Sequence, residues 1–483
     1  MNVARAARWI SCIALAAMGA LPLAATAAKA SAQPGFSPQF TIGPKAQRAN
    51  AVGPGYGLFT CQLGLVDFTC YDPYQMRHAY GIDKLIDAGF NGAGRTIVIV
   101  DAFQSPTLVS DLDEFSTFYE LPSANLTQVA PDGMVPFDPN DPNMVGWSGE
   151  ITLDVEWAHA IAPNAKIVLV LARTNEDSDI LSAIKYAVDH NLGDVISMSF
   201  GANESCLDSD TLNAYHDVFA KATLKRITLF ASSGDQGAAQ LTCDGESWTR
   251  AVSQPASDPL VSGVGGTELH AAGYCFADLG CDPATNPAPG TYQGEIAWNE
   301  FDSESTGGGI SVVFDAPFYQ RAAVKASGRA VPDVAYNAAI EHGVLTFWDG
   351  SWWLFGGTSA GAPQWSGITA ISDQIAGKRL GFLNKAFYLI KAIPPAYALF
   401  FHDITSGNNS VIETDADGND VVVPGFVATR GWDATTGIGS PKVSNIVAQL
   451  IQNVSSDDGV SAVATSKPHG NGRHSRRGSM APH

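Results

Sequence analysis

An α/β fold with a mostly parallel central sheet and helices on both faces is what this sequence predicts, and three observations carry the prediction. Four apolar, β-branched runs show no alternation of polar and apolar positions: RTIVIVDAF near 95–103, AKIVLVLA near 165–172, DVISMSFG near 194–201 and RITLFASSG near 226–234. Such runs mark strands buried on both faces. Segments with helical spacing separate them, SDILSAIKYAVDH near 178–190 and SDTLNAYHDVFAKATLK near 209–225, and strands joined through helices pair in parallel. The chain has 483 residues, 45% of them hydrophobic, which is enough for a large core.

In chain order, residues 1–32 read as a secretory signal. Arg5 and Arg8 precede an apolar run from Trp9 to about Leu23, and small residues that suit cleavage follow at Ala27 or Ala32. This predicts a secreted, extracellular or periplasmic protein. Residues 33–70, rich in Gly, Pro and Ala, read as an extended lead-in or short prosegment, and residues 71–452 as one large domain. A loop-rich stretch at about 268–350 contains the strand-like HGVLTFWDG. Residues 453–483, ending SKPHGNGRHSRRGSMAPH, are polar and non-periodic and read as a disordered tail.

The formal net charge of -20 excludes nucleic acid and anionic membrane as expected partners, since both are held by clustered Lys and Arg. Beyond the signal no segment is long and apolar enough to span a membrane. A monomer is expected. Cys61, Cys70, Cys206, Cys243, Cys275 and Cys281 remain after signal removal. An even number in an exported chain suggests disulfides, with Cys61–Cys70 and Cys275–Cys281 as short local loops and the pairing otherwise open.

Ser359, in FGGTSAGAPQW, stands where a strand turns into a helix. Free N–H groups there favour developing negative charge, and Gly356 and Gly357 admit a close backbone approach. A helix cap explains the serine equally well, so a base must be found. In GEITLDVEWAHAIAP, read as a helix over about 148–160, Glu150 and Asp154 lie about 40° apart on one face. His159 falls roughly 180° from Glu150, and Glu156 joins neither. Neighbouring buried carboxyls cannot both ionise easily, so the pair offers a base that works in acid, where histidine is already protonated. Asp235, flanked by Gly234 and Gly237 after a buried strand, could donate to an oxyanion if protonated. Alone, Asp in such a turn is more often an Asx turn.

Taken together, E150-ITL-D154, the SSGD turn ending at Asp235, GTSAGAP around Ser359, and the pair HDITSG and RGWDATTGIGSP resemble the sedolisin family, the serine-carboxyl peptidases. Weaker matches extend the resemblance over roughly 70–450. It implies a subtilisin-like fold and a serine-type peptidase active at acidic pH. It makes Ser359 the nucleophile, Glu150 general base and then acid, Asp154 its partner, and Asp235 the oxyanion donor. It also implies one Ca²⁺, held by Asp403, Asp433 and the carbonyls of Ile404, Thr429 and Gly431, hard oxygen ligands that suit this ion.

Three features depart from the family pattern. The lead-in is short where relatives carry a long prodomain, Gly356 stands where Ser is common, and an acidic insertion occupies about 411–424. Its ETDADGND stretch looks like an EF-hand loop but lacks the Glu at the twelfth position. Two other readings compete. One is a hydrolase using His159 with Asp101, and the other a catalytically silent binding protein on the same fold.

Overall fold

The computed structural model describes residues 35–48, 58–455 and Pro468. The signal at 1–32, part of the lead-in and nearly all of the tail lie outside the described residues. Residues 453–455 do not belong to a disordered tail, because the helix Val443–Ser455 runs through them. Its Val443, Ile446, Val447 and Leu450 pack into the core, and that apolar face holds the last turn in place.

The fold is subtilisin-like. Its central sheet has eight strands, seven of them in the order Tyr292–Ala297, Ser262–Ala271, Thr228–Ser232, Val195–Met198, Thr96–Ala102, Lys166–Ala172 and Asn125–Val129, with Val334–Asn337 also on Ser262–Ala271. All pairings in it are parallel except the edge pair of Ser262–Ala271 with Tyr292–Ala297. The four runs read as strands are the buried centre of this sheet. Asp177–Asp189 and Ser209–Leu224 are helices, as their spacing predicts.

Two buried helices carry the carboxyls and follow the serine singled out in the sequence. The carboxylate helix, Pro142–Ile161, starts at Asp141, whose side chain accepts the Asn143 N–H, with Pro142 in its first turn. From Trp147 onward every residue in it is buried, so any carboxyl it carries inward is desolvated. The serine helix, Gly361–Ala376, follows a single 3₁₀ turn, Thr358–Ala360. The two helices touch at Gly367, where a Cβ would come 2.8 Å from the Ile161 side chain. Glycine at 367 therefore sets how closely serine and carboxylates approach.

A second sheet feeds the serine turn. His342–Trp348 and Ser351–Gly356 form a hairpin, flanked by Thr69–Tyr71 on one side and by Thr41–Lys45 of the lead-in on the other. The acidic insertion is a small hairpin, Val411–Thr414 with Asp420–Val423, and Asp415 caps its turn through the Asp417 and Asn419 N–H groups. Three disulfides are present, Cys61–Cys70, Cys206–Cys243 and Cys275–Cys281. Among the described residues, no helix is long and apolar enough to cross a membrane.

Candidate active site

The sheet delivers its functional groups beyond the carboxyl ends of its strands, as parallel sheets do. Ser359 Oγ donates to Glu150 Oε2 at 3.0 Å and lies 3.2 Å from the Ser199 carbonyl oxygen. Ser199 Oγ donates to Asp154 Oδ1 at 2.8 Å. Ser359, Glu150 and Asp154 are wholly buried. The one-turn spacing along a buried helix therefore brings both carboxyls to the serine, and an apolar environment surrounds the pair.

Burial is the first cause that pushes Glu150 far above the usual carboxylate range, and the charges of Asp154 and Asp101 add to it; the Ser359 hydroxyl opposes. Burial also raises Asp154, against hydrogen bonds from Ser199 and Glu150. Glu150 Oε1 and Asp154 Oδ2 find no N–H or O–H donor on any other described residue. With no donor to stabilise both charges, ionising either carboxyl is costlier beside the other, and the pair titrates as a unit.

Asp101 extends this chain of carboxyls. It lies at the end of the core strand Thr96–Ala102, is wholly buried, and among the described residues neither of its oxygens has a hydrogen-bond partner. Burial and then the Asp154 charge raise it far above its ordinary range. The sequence reading paired Asp101 with His159. Instead His159 Nε2 bonds the Pro122 carbonyl at 2.9 Å, and burial lowers its pKa to about 4. None of its bonds reaches Ser359. Glu156 lies elsewhere too, accepting the Phe347 N–H at 3.0 Å.

Asp235 faces the other side of the serine turn. Its Oδ1 accepts the N–H and hydroxyl of Thr358, both at 2.8 Å, while the buried Oδ2 has no partner. Burial raises Asp235 far above its ordinary range, against those Thr358 bonds. Gly357 has φ 100°, and a Cβ there would sit 2.4 Å from Asp235 Oδ2 and 2.6 Å from the Gln39 carbonyl oxygen. Only glycine leaves that space open.

Gln39 is the residue that sequence reasoning missed. Its N–H donates to the Ser199 carbonyl at 3.2 Å, and its carbonyl accepts the Ser359 N–H at 2.9 Å. Its side chain accepts the Asp235 N–H at 3.0 Å. Ser37 and Pro38 pair antiparallel with Gly201 and Phe200, and Thr41 and Ile42 with Gly356 and Phe355. The lead-in thus runs extended past Ser359, Ser199 and Asp235, paired at both ends. Phe36 anchors one end against Phe200 and Tyr215, and Phe40 stacks on Phe355 at the other. A composition rich in Gly and Pro signals an extended segment but not where it lies.

The residues expected to hold calcium converge as well. Asp403 Oδ1 accepts the Gly431 N–H at 2.8 Å and the Tyr397 hydroxyl at 2.9 Å. Asp433 accepts the N–H groups of Thr429, Thr435 and Thr436. Among the described residues no hydrogen bond runs to the carbonyl oxygens of Ile404, Thr429 or Gly431. Two carboxylates and backbone carbonyls are the kind of oxygen ligand a hard cation takes.

The subtilase family model matches residues 140–380. Kumamolisin of Bacillus sp. (strain MN-32) is 32% identical over 398 residues, covering 80% of this chain and 65% of its own length. Sedolisin of Pseudomonas sp. (strain 101) is 30% identical over 374 residues, 75% of this chain and 58% of its own. The solved structure of Pseudomonas sedolisin, a serine-carboxyl proteinase complexed with two molecules of pseudo-iodotyrostatin, superposes with a TM-score of 0.65 at 29% identity. That match covers 80% of this chain and 99% of the solved one. The chain belongs to the sedolisin family. It spans less than two thirds of the length of these curated relatives. The segments that carry Glu150, Asp154, Asp235 and Ser359 all fall inside the subtilase match.

Proposed function

We propose that this protein is an exported serine-carboxyl peptidase that hydrolyses peptide bonds in acid. Ser359 is the nucleophile, Glu150 the general base and then acid, Asp154 the group that orients and charges Glu150, and protonated Asp235 an oxyanion donor. One calcium ion is held at the Asp403–Asp433 cluster, where it ties two loops together. The observation that carries the reading is the seat of Gln39. An extended peptide lies antiparallel on Phe200–Gly201 with one carbonyl on the Ser359 N–H, beside Asp235. That is where a scissile carbonyl must sit if this serine attacks it.

In this reading Ser359 Oγ attacks the carbonyl carbon while its proton passes to Glu150 Oε2, 3.0 Å away. Asp154, fixed by Ser199, takes up the shift of charge within the dyad. The carbonyl oxygen, now negative, is met by the Ser359 N–H and by the Asp235 acid proton. Glu150 then protonates the leaving amine, and a water molecule repeats the sequence on the acyl-enzyme. Ionisation of Asp235 would replace a donor with a like charge, so activity falls as pH rises. Asp101, neutral in its buried seat, keeps a further negative charge away from Asp154.

Because Ser37–Lys45 occupies the cleft, a foreign peptide must displace it, or the enzyme must cut it at Gln39–Phe40. The test is hydrolysis of a mixed peptide library across pH by the wild type, Ser359→Ala and Glu150→Gln, with mass spectrometry of each chain's own N-terminus. Hydrolysis confined to acid, lost in both variants, with a wild-type chain beginning at Phe40 supports the reading. Library hydrolysis that persists in either variant refutes it, as does a wild type inert at every pH.

A further inference from the structure

Glu268, His270 and His342 gather their ligand atoms within 4.8 Å of one another, away from the catalytic carboxyls. Two-residue spacing puts Glu268 and His270 on one face of the strand Ser262–Ala271. His342 opens the hairpin strand His342–Trp348, which returns through Ser351–Gly356 to Ser359. Asn337 pins these strands together: its side chain accepts the Leu269 N–H at 2.9 Å and donates to the His342 carbonyl at 2.8 Å. The backbone positions of all three residues are thereby fixed by the fold.

The separations suit a metal. Glu268 Oε1 lies 3.2 Å from His270 Nε2 and 3.4 Å from His342 Nδ1. Ligands about 2.05 Å from a tetrahedral zinc ion stand about 3.3 Å apart. The two rings cross at 70° with centroids 4.8 Å apart, so they are not stacked flat against each other. Apart from Glu268 Oε1 at 3.4 Å, the buried His342 Nδ1 has no polar partner among the described residues, and a buried polar atom left this way calls for one. Glu341 adds a further carboxylate close enough to act on Glu268.

We propose that Glu268, His270 and His342 bind one divalent transition-metal ion of the zinc class, leaving a fourth position open. Two imidazoles and one carboxylate select zinc, cobalt, nickel or copper over calcium, so the site is chemically distinct from the all-oxygen cluster at Asp403 and Asp433. It joins the edge of the central sheet to the hairpin that presents the serine. Occupancy would restrain that hairpin, and the inference does not depend on the catalytic reading.

The experiment uses the full chain as Ser359→Ala, stripped with chelator, resupplied with calcium and titrated with Co²⁺ near neutral pH. Expected are one Co²⁺ per chain with the intense visible bands of a four-coordinate site, and at least tenfold weaker binding in Glu268→Gln and in His270→Gln. His270 is 41% exposed, so its replacement leaves folding intact, and an unchanged melt of the metal-free variant checks this. Absence of the bands, or full-strength binding in the folded His270→Gln variant, overturns the proposal.

Discussion

Glu150 with Asp154 and Asp403 with Asp433 are both carboxylate pairs, yet their surroundings differ in the number of donors. The first pair sits in a buried helix and receives two hydroxyls, from Ser359 and Ser199. The second sits between loops and accepts the N–H groups of Thr429, Gly431, Thr435 and Thr436. With few donors and no counter-charge, the helix pair can lower its charge only by holding a proton. At the loop pair the Thr429, Thr435 and Thr436 N–H groups oppose the effect of burial on Asp433, which suits the cation proposed there. Carboxyl groups are thus proposed to serve proton chemistry in one place and cation binding in the other.

The largest expected effects break the first pair. Ser359→Ala and Glu150→Gln should each lower kcat/KM by a factor on the order of 10⁴ or more with folding retained, read by steady-state hydrolysis and melting. Asp235→Asn keeps a donor that cannot ionise. It should lower kcat on the order of 10²-fold and push the alkaline limb of the pH profile upward. If the limb stays in place, Asp235 does not set it.

Stability should follow pH from the same burial. Asp177, Glu413 and Asp373 are raised by burial to about 6, 7 and 8. Folded pKa values above the unfolded range of about 4 mean that the folded state binds more protons. Their stabilisation is complete below about pH 4 and is lost as pH rises through about 6–8. His159, His342 and His402, lowered to about 4, 4 and 3 by burial, act in the opposite sense. Buried carboxyls outnumber them, with Glu150, Asp101, Asp235 and Glu156 all raised. Ser359→Ala should therefore melt higher near pH 4–5 than near pH 8. The reverse order would contradict the burial argument.

The smallest effect concerns the loop pair. Chelation, or Asp433→Asn, should lower the melting temperature by about 2–4 °C or more without moving the pH profile of hydrolysis. A shifted profile would mean the two pairs communicate.

Most of the sheet was legible because strands buried on both faces leave uninterrupted apolar runs, as at 165–172 and 194–201. The carboxylate pair was legible from one helical turn of spacing, and the same angle turned His159 away from the serine. Ser199 was hidden in a run read only as a strand, although its hydroxyl fixes Asp154. Asp101 was noticed at its strand end only as the partner of His159 in a competing reading, and its place beside Asp154 was not legible, since which side of the sheet each helix covers is set by tertiary packing. Gln39 left no local signal. Its place depends on pairings with residues about 160 and 320 positions away, Gly201 and Gly356 among the strands it bridges.

The central claim is that a carboxylate, not a histidine, takes the serine proton. The pH dependence of kcat/KM for wild type, Glu150→Gln and His159→Ala on one peptide tests it most directly. The account predicts an acid optimum kept by His159→Ala and activity abolished by Glu150→Gln. An optimum near neutrality that survives Glu150→Gln and disappears in His159→Ala would contradict it.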